Sequence, residues 1–232
     1  MKKIIFIIVI LAITTPVFAQ ETVEEAFLRP SMEVEVIAAL AAAETREQKL
    51  VALEMIEQMI AEGRVRQNDI HINAVLANLA GEGTTIVVRE GSRRVNSFPD
   101  VRTRAARVLG ELGGERARDT LIDITRNPSE NESMVLSQVV FSLGLIGLNE
   151  NNESLIAITN VLMNNSRQRV PDNNLAIASL LAIERIIEKN NGFPDEPSPR
   201  FLYVAITEVQ FGNYSTEVRN WASALMGRLS RI

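Results

Sequence analysis

The chain contains no cysteine and a single histidine, His71, among its 232 residues. The first absence excludes a disulfide framework, a thiolate nucleophile and sulfur-ligated zinc. The second argues against a histidine-built metal site, because His71, between Ile70 and Ile72, has no second histidine anywhere in the sequence. No Ser-His-Asp order, glycine-rich phosphate loop or HExxH spelling occurs, so neither a catalytic set nor a cofactor is implied. Long hydrophobic runs are also missing. The longest, Ile4 to Ile13, is ten residues, half of the roughly 20 a helix needs to cross a bilayer. A surplus of basic charge is absent too: the formal charge is −5, which argues against nucleic acid as the partner, since phosphate binding rests on accumulated Lys and Arg.

What is present begins with Lys2 and Lys3, the short apolar run, and Pro16-Val17-Phe18-Ala19 with small residues where a signal peptidase reads. This pattern predicts a secretory signal over 1–19, cleaved after Ala19, and export into a bacterial periplasm or beyond. No cysteine follows the run, so lipid attachment of the bacterial lipoprotein kind is excluded, and no stable membrane insertion is expected after cleavage. Loss of Lys2 and Lys3 takes the formal charge from −5 to −7. That surplus lies in Glu21 to Glu62, where ten acids face Arg29, Arg46 and Lys49.

After a polar lead over 20–30, the chain reads as helices. Ser31 follows Pro30 and suits a cap for a helix to about Ala43. Thr45-Arg46-Glu47-Gln48 spells a capping box for a helix to about Glu62, stopped by Gly63. A third helix is expected from Asn68 to Ala80, ended by Gly81 and Gly83. The segment Thr84 to Asn96 then breaks the pattern. Its β-branched run Thr84-Thr85-Ile86-Val87-Val88 and the Glu90-Gly91 turn predict an inserted β-hairpin or ordered loop.

From Phe98 onward a repeat is countable. With Val101 as zero, offsets 0, 4, 5, 8 and 11 are Val101, Ala105, Ala106, Leu109 and Leu112. From Val135 they are Val135, Val139, Val140, Leu143 and Ile146; from Leu175, Leu175, Ser179, Leu180, Ile183 and Ile186; from Val218, Val218, Ala222, Ser223, Met226 and Leu229. At 100° per residue these positions form one helix face. The zero positions lie 34, 40 and 43 residues apart, the spacing of a two-helix unit in a solenoid. A fainter copy starts at Gln48. Offset nine is Gly110, Gly144 and Gly227 in three copies but Glu184 and Glu57 in the others. Glycine inside a helix costs about 1 kcal/mol, so its recurrence predicts close approach of a neighbouring helix, while Gly113 and Gly147 suit helix ends. Each of these A helices is expected to be followed by an antiparallel B helix: Arg116 to Arg126, Asn152 to Asn164, and Ser198 to Gln210. The last A helix has none after it.

The residues Asp100-Val101-Arg102, Ala105-Ala106, Leu109-Gly110 and Leu112-Gly113 resemble the HEAT-like (PBS-lyase-type) repeat family, and Glu217-Val218-Arg219, Ala222 and Met226-Gly227 echo them. The copy at Val135 keeps Leu143-Gly144 and Ile146-Gly147, and the copy at Leu175 keeps Asp172 and the apolar positions. The resemblance covers Phe98 to Ile232, and more faintly Ser31 to Ala80. It implies an all-α fold, a right-handed α-solenoid of about five antiparallel helix pairs occupying 31–232. It also implies an interaction scaffold, without saying what is bound.

Charged residues supply the remaining candidates. Asp100 and Arg102 read as a helix-start acid and a ladder between stacked repeats. Glu54, Glu57 and Glu62, with Arg46 and Lys49 nearby, read as a solvated face. Ten arginines fall between Arg64 and Arg118 against six acids, and arginine suits bidentate recognition of carboxylate. Those outside the repeat pattern, Arg104, Arg107, Arg116 and Arg118, join Arg89, Arg93 and Arg94 of the insertion as candidates for binding an acidic protein partner. The functional expectation is non-catalytic protein binding on the concave helical surface and inserted loop. The alternative is a structural envelope component that self-associates into a homo-oligomer through the C-terminal helix. A solenoid enzyme is a third class, against which export, acidity and the missing motifs weigh.

Overall fold

Helix starts in this chain are set by short polar side chains that take up otherwise orphaned backbone N–H groups. Thr45 accepts from Gln48 N–H, Asp69 from Ile72 N–H, Asp172 from Asn174 and Leu175 N–H, and Ser215 from Val218 N–H. Pro99 opens another helix at its first turn, where its missing N–H costs nothing. Gly113 and Gly147 end two helices at φ of +73° and +71°, as their positions after Leu112 and Ile146 predict.

These signals yield ten α-helices in the computed structural model, which describes residues 31–192 and 200–231. They are α1 (Met32–Ala42), α2 (Arg46–Ala61), α3 (Ile70–Ala80), α4 (Pro99–Leu112), α5 (Gly114–Arg126), α6 (Ser133–Ile146), α7 (Glu153–Ser166), α8 (Asn173–Lys189), α9 (Arg200–Phe211) and α10 (Thr216–Leu229). The expected signal over 1–19, the lead over 20–30, residues 193–199 and with them the expected helix start at Ser198 lie outside the described residues. The chain divides into two units, Met1–Met32 and Glu33–Ile232, and the helical stack belongs to the second. With 72% of the structure helical and one two-stranded hairpin, β1 (Arg89–Glu90) and β2 (Arg93–Arg94), the fold is all-α with a small β insert.

The helices stack in two layers. One is formed by α2, α4, α6, α8 and α10, each packed on the next; the other by α3, α5, α7 and α9. The ten helices are thus four complete A–B pairs with α1 before them and α10 after them. Every offset position identified in α4, α6 and α8 is buried, so the core is the seam between the layers. In α10 the pattern narrows: Val218, Ala222 and Leu229 are buried, but Ser223 is exposed, Met226 is half-buried and Leu225 is buried instead. The reason is positional. α10 has a neighbour in its own layer on one side only, α8.

Offset nine faces the next A helix at every junction. A Cβ on Gly110 would lie 2.5 Å from Ser142 Oγ and 2.7 Å from Ser142 Cβ, and one on Gly144 would lie 2.7 Å from Ala182 Cα. Only glycine permits those approaches. Where glutamate replaces it, the junction is an ion pair: Glu57 with Arg104 and Arg107 of α4, and Glu184 with Arg228 of α10. At Gly227 a Cβ would meet nothing within 4 Å.

Offset one carries a second repeated device. Lys49 in α2 pairs with Glu82 at 2.9 Å, and Arg102 in α4 pairs with Glu130 at 2.6 Å; all four residues are buried. In both cases the acid comes from the connection leaving the B helix of the same pair. Lys49 is therefore not on the solvated face expected for it. At 100° per residue, offset one falls inside the apolar stripe. Asp100 meanwhile pairs with Arg46 of α2 at 2.6 Å, linking neighbouring A helices as a ladder does.

Candidate functional site

The insertion between α3 and α4 is closed at its base by backbone contact. Gly83 has φ +71°, and a Cβ there would lie 2.9 Å from Ser97 Cα and closer still to Asn96 O. Asn96, buried, then organises the interior. Its Nδ2 donates to Glu82 Oε1 at 2.6 Å and to Ile86 O at 2.7 Å, and its Oδ1 accepts from Val88 N–H at 2.8 Å. Glu82 Oε2 takes the Lys49 ammonium, which also donates to Ala41 O at 2.9 Å. Arg102 Nη1 donates to Glu82 O at 3.1 Å. Buried charge is tolerable only when paired and hydrogen-bonded, and both Glu82 oxygens are so occupied.

Lys49, Glu82 and Asn96 of this network lie on the polar side of a cavity of about 590 Å³. Ala38 and Ala41 of α1, Val75 of α3, and Ile86, Val88 and Val95 of the insertion line its apolar side. The alanines leave the room that larger side chains would fill. A concave, mostly apolar space with a few polar groups is the usual form of a binding site. Ile86, Val87 and Val88 are also exposed toward solvent, an apolar strip beside the opening.

Beyond the cavity the chain turns at Gly91, φ +62°, and pairs Arg89 with Arg94 and Glu90 with Arg93. Like charges directly opposite each other across a ladder are destabilising. Arg89 Nη1 donates to Ser92 O at 3.2 Å, but among the described residues Arg89, Arg93 and Arg94 form no ion pair with any carboxylate. The hairpin thus holds three guanidinium groups against one carboxylate, Glu90.

The other four candidate arginines do not join it. Arg104 and Arg107 converge on Glu57, at 2.7 and 2.6 Å, and Arg107 also reaches Glu111 at 2.7 Å. The hydrogen bond from Arg104 above all, with help from Arg107, holds the Glu57 carboxyl below the usual carboxylate range. Arg118 is buried against the start of α7, with Asp119 at 2.8 Å, Glu150 at 3.9 Å and Glu153 at 3.8 Å. These three fasten repeats together. Arg116 is exposed in the first turn of α5, without an ion pair among the described residues.

Sequence reasoning missed Lys49, Glu82 and Asn96. The available signals were the equivalence of Lys49 and Arg102 at offset one, and an acid set between Gly81 and Gly83. Among the described residues there is no group of three or more acids or histidines placed to hold a metal ion, and no helix is long and apolar enough to cross a membrane. No family model matches the chain, no curated protein matches its sequence and no solved structure matches its fold.

Proposed function

We propose that the chain is a non-catalytic protein-binding scaffold of the bacterial cell envelope, a HEAT-like solenoid that captures an acidic protein partner on its inserted hairpin and the adjoining helical surface. The observation that carries this reading is the placement of Arg89 opposite Arg94, with Arg93 across from Glu90 and none of the three arginines in an ion pair among the described residues. A partner carboxylate relieves that repulsion, and arginine engages it bidentately. The exposed strip Ile86-Val87-Val88 and the cavity behind it add apolar contact, which supplies affinity where charge supplies orientation. Export through a signal cleaved after Ala19 is part of the same proposal, supported by the spelling of the first nineteen residues.

The test is a pull-down from envelope extract with the wild type and with Arg89, Arg93 and Arg94 all changed to Glu. The variant is expected to keep its helical circular dichroism and lose the captured partner. An unchanged capture profile with full folding rejects the reading.

A second reading, self-association through α10, is favoured by one observation. Gly227 occupies the register that elsewhere receives a neighbouring A helix, yet a Cβ there would meet nothing. Arg219, at the register of Lys49 and Arg102, is exposed, and among the described residues its guanidinium forms no ion pair and donates to Thr216 Oγ1 at 3.4 Å. Light scattering over a hundredfold concentration range decides: growth of the apparent mass supports it, and a constant monomer mass refutes it.

A further inference from the structure

The connections that lead from each B helix to the next A helix lie side by side. Asn127 Nδ2, in the connection after α5, donates to Thr85 Oγ1 of the insertion at 3.0 Å. After α9, Asn213 Nδ2 donates to Arg169 O at 3.5 Å and Ser215 N–H to Asn173 Oδ1 at 2.9 Å. The hairpin arginines and the later connections therefore share one edge of the stack.

On that edge, between the connections after α5 and α7, is a groove of about 990 Å³. Arg126, Arg167 and Arg169 line it, over Leu136, Val161 and Leu175. Two acids also line it, but both are committed elsewhere. Glu130 is bound by Arg102 and accepts from Glu132 N–H at 3.1 Å; Asp172 accepts from the first N–H groups of α8 at 2.8 and 3.2 Å. Arg167 and Arg169 form no ion pair among the described residues, and Arg126 has only Asp123, at 3.7 Å with both side chains largely in solvent. The groove is thus electropositive in a chain of net negative charge.

We infer that this groove binds an extended acidic segment of a protein, continuing the contact made by the hairpin. The inference rests on the protein-binding reading above and specifies where the partner's chain runs. The chemistry of the groove favours polypeptide. Asn131 and Asn164 line it with side chains that have no hydrogen-bond partner among the described residues, and an amide offers the donor and acceptor that match a peptide unit. The apolar floor, with Val170 80% exposed at the rim, takes side chains that alternate with the acids of an extended strand. The three arginines receive the carboxylates.

The probe is a fluorescein-labelled dodecapeptide with glutamate at alternate positions and valine or glycine between, titrated against the full chain by fluorescence anisotropy. A peptide with glutamine in place of each glutamate is the control. The wild type is expected to bind the glutamate peptide at least tenfold tighter than the control. R126E/R167E/R169E is expected to lose that preference, and the milder R126Q/R167Q/R169Q, which keeps the size of the side chains and introduces no repulsion, to weaken it by at least fivefold with helical content unchanged. Equal binding of the two peptides, unchanged affinity in the glutamine variant, or stronger binding of phosphatidylglycerol vesicles or sulfated polysaccharide than of the peptide overturns the inference. A natural partner lost on reversal of Arg89, Arg93 and Arg94 but retained on reversal of Arg126, Arg167 and Arg169 also overturns it, while leaving the hairpin reading intact.

Discussion

The guanidinium of Arg102 and the carboxylate of Glu130 meet at two points inside the stack, Nε to Oε2 at 2.6 Å and Nη2 to Oε1 at 3.3 Å, with 2% and 0% of the side chains exposed. Through Nη1 the same arginine holds Glu82 O at the base of the insertion, so one residue joins α4, the connection before α6 and the hairpin. Removing either partner leaves the other charge buried. Arg102→Ala and Glu130→Ala are each expected to cost about 3–5 kcal/mol. The double variant should cost clearly less than the sum of the two. Urea denaturation of all four proteins measures that coupling.

The glycines at offset nine separate by environment. Gly110→Ala and Gly144→Ala force a methyl group against Ser142 and Ala182, and each is expected to destabilise by about 1–3 kcal/mol despite the better helix propensity of alanine. Gly227→Ala meets open space and is expected to stabilise by up to about 1 kcal/mol. Thermal unfolding of the three variants gives the comparison; equal effects at all three positions would contradict the packing described for the A layer.

Glu57 links α2 to α4 through two arginines, and its folded-state pKa is lowered chiefly by the Arg104 hydrogen bond. Because the folded value lies below the unfolded one, near the ordinary carboxylate value of about 4.3, its contribution is complete above that pH and is lost as pH falls through the lowered folded value. Glu57→Gln is expected to cost about 1 kcal/mol at pH 7, modest because the pair is partly exposed. The gap between the two proteins should close as pH falls from 5 toward 3. Urea midpoints at a series of pH values test it, and a gap that widens on acidification contradicts it.

Local regularity was legible in the amino-acid order. The stripe from Val101 to Leu112 and its copies in α6 and α8 declare themselves through spacing alone, and Thr45 announces a helix start that forms where it is spelled. The hairpin was legible in place but not in register. The β-branched run Thr84 to Val88 suggested a strand, yet the ladder is Arg89–Glu90 with Arg93–Arg94. The side chain of Asn96 takes the Ile86 C=O and Val88 N–H that a strand partner would pair. Pairs separated by a whole repeat were not legible. Lys49 finds Glu82 33 residues later only because α2 and α3 fold back on each other, and Arg126, Arg167 and Arg169 become neighbours only when two repeats stack.

Docking of a partner on the inserted hairpin, as proposed, is tested most directly in intact cells. A photo-reactive residue placed at Val87, exposed on the hairpin, and separately at Ser223, exposed on α10, reports the neighbour of each surface in intact cells. The account predicts a single cross-linked adduct with a different protein from Val87, lost when Arg89, Arg93 and Arg94 are reversed to Glu. No adduct from Val87, with one of twice the chain mass from Ser223, would contradict it.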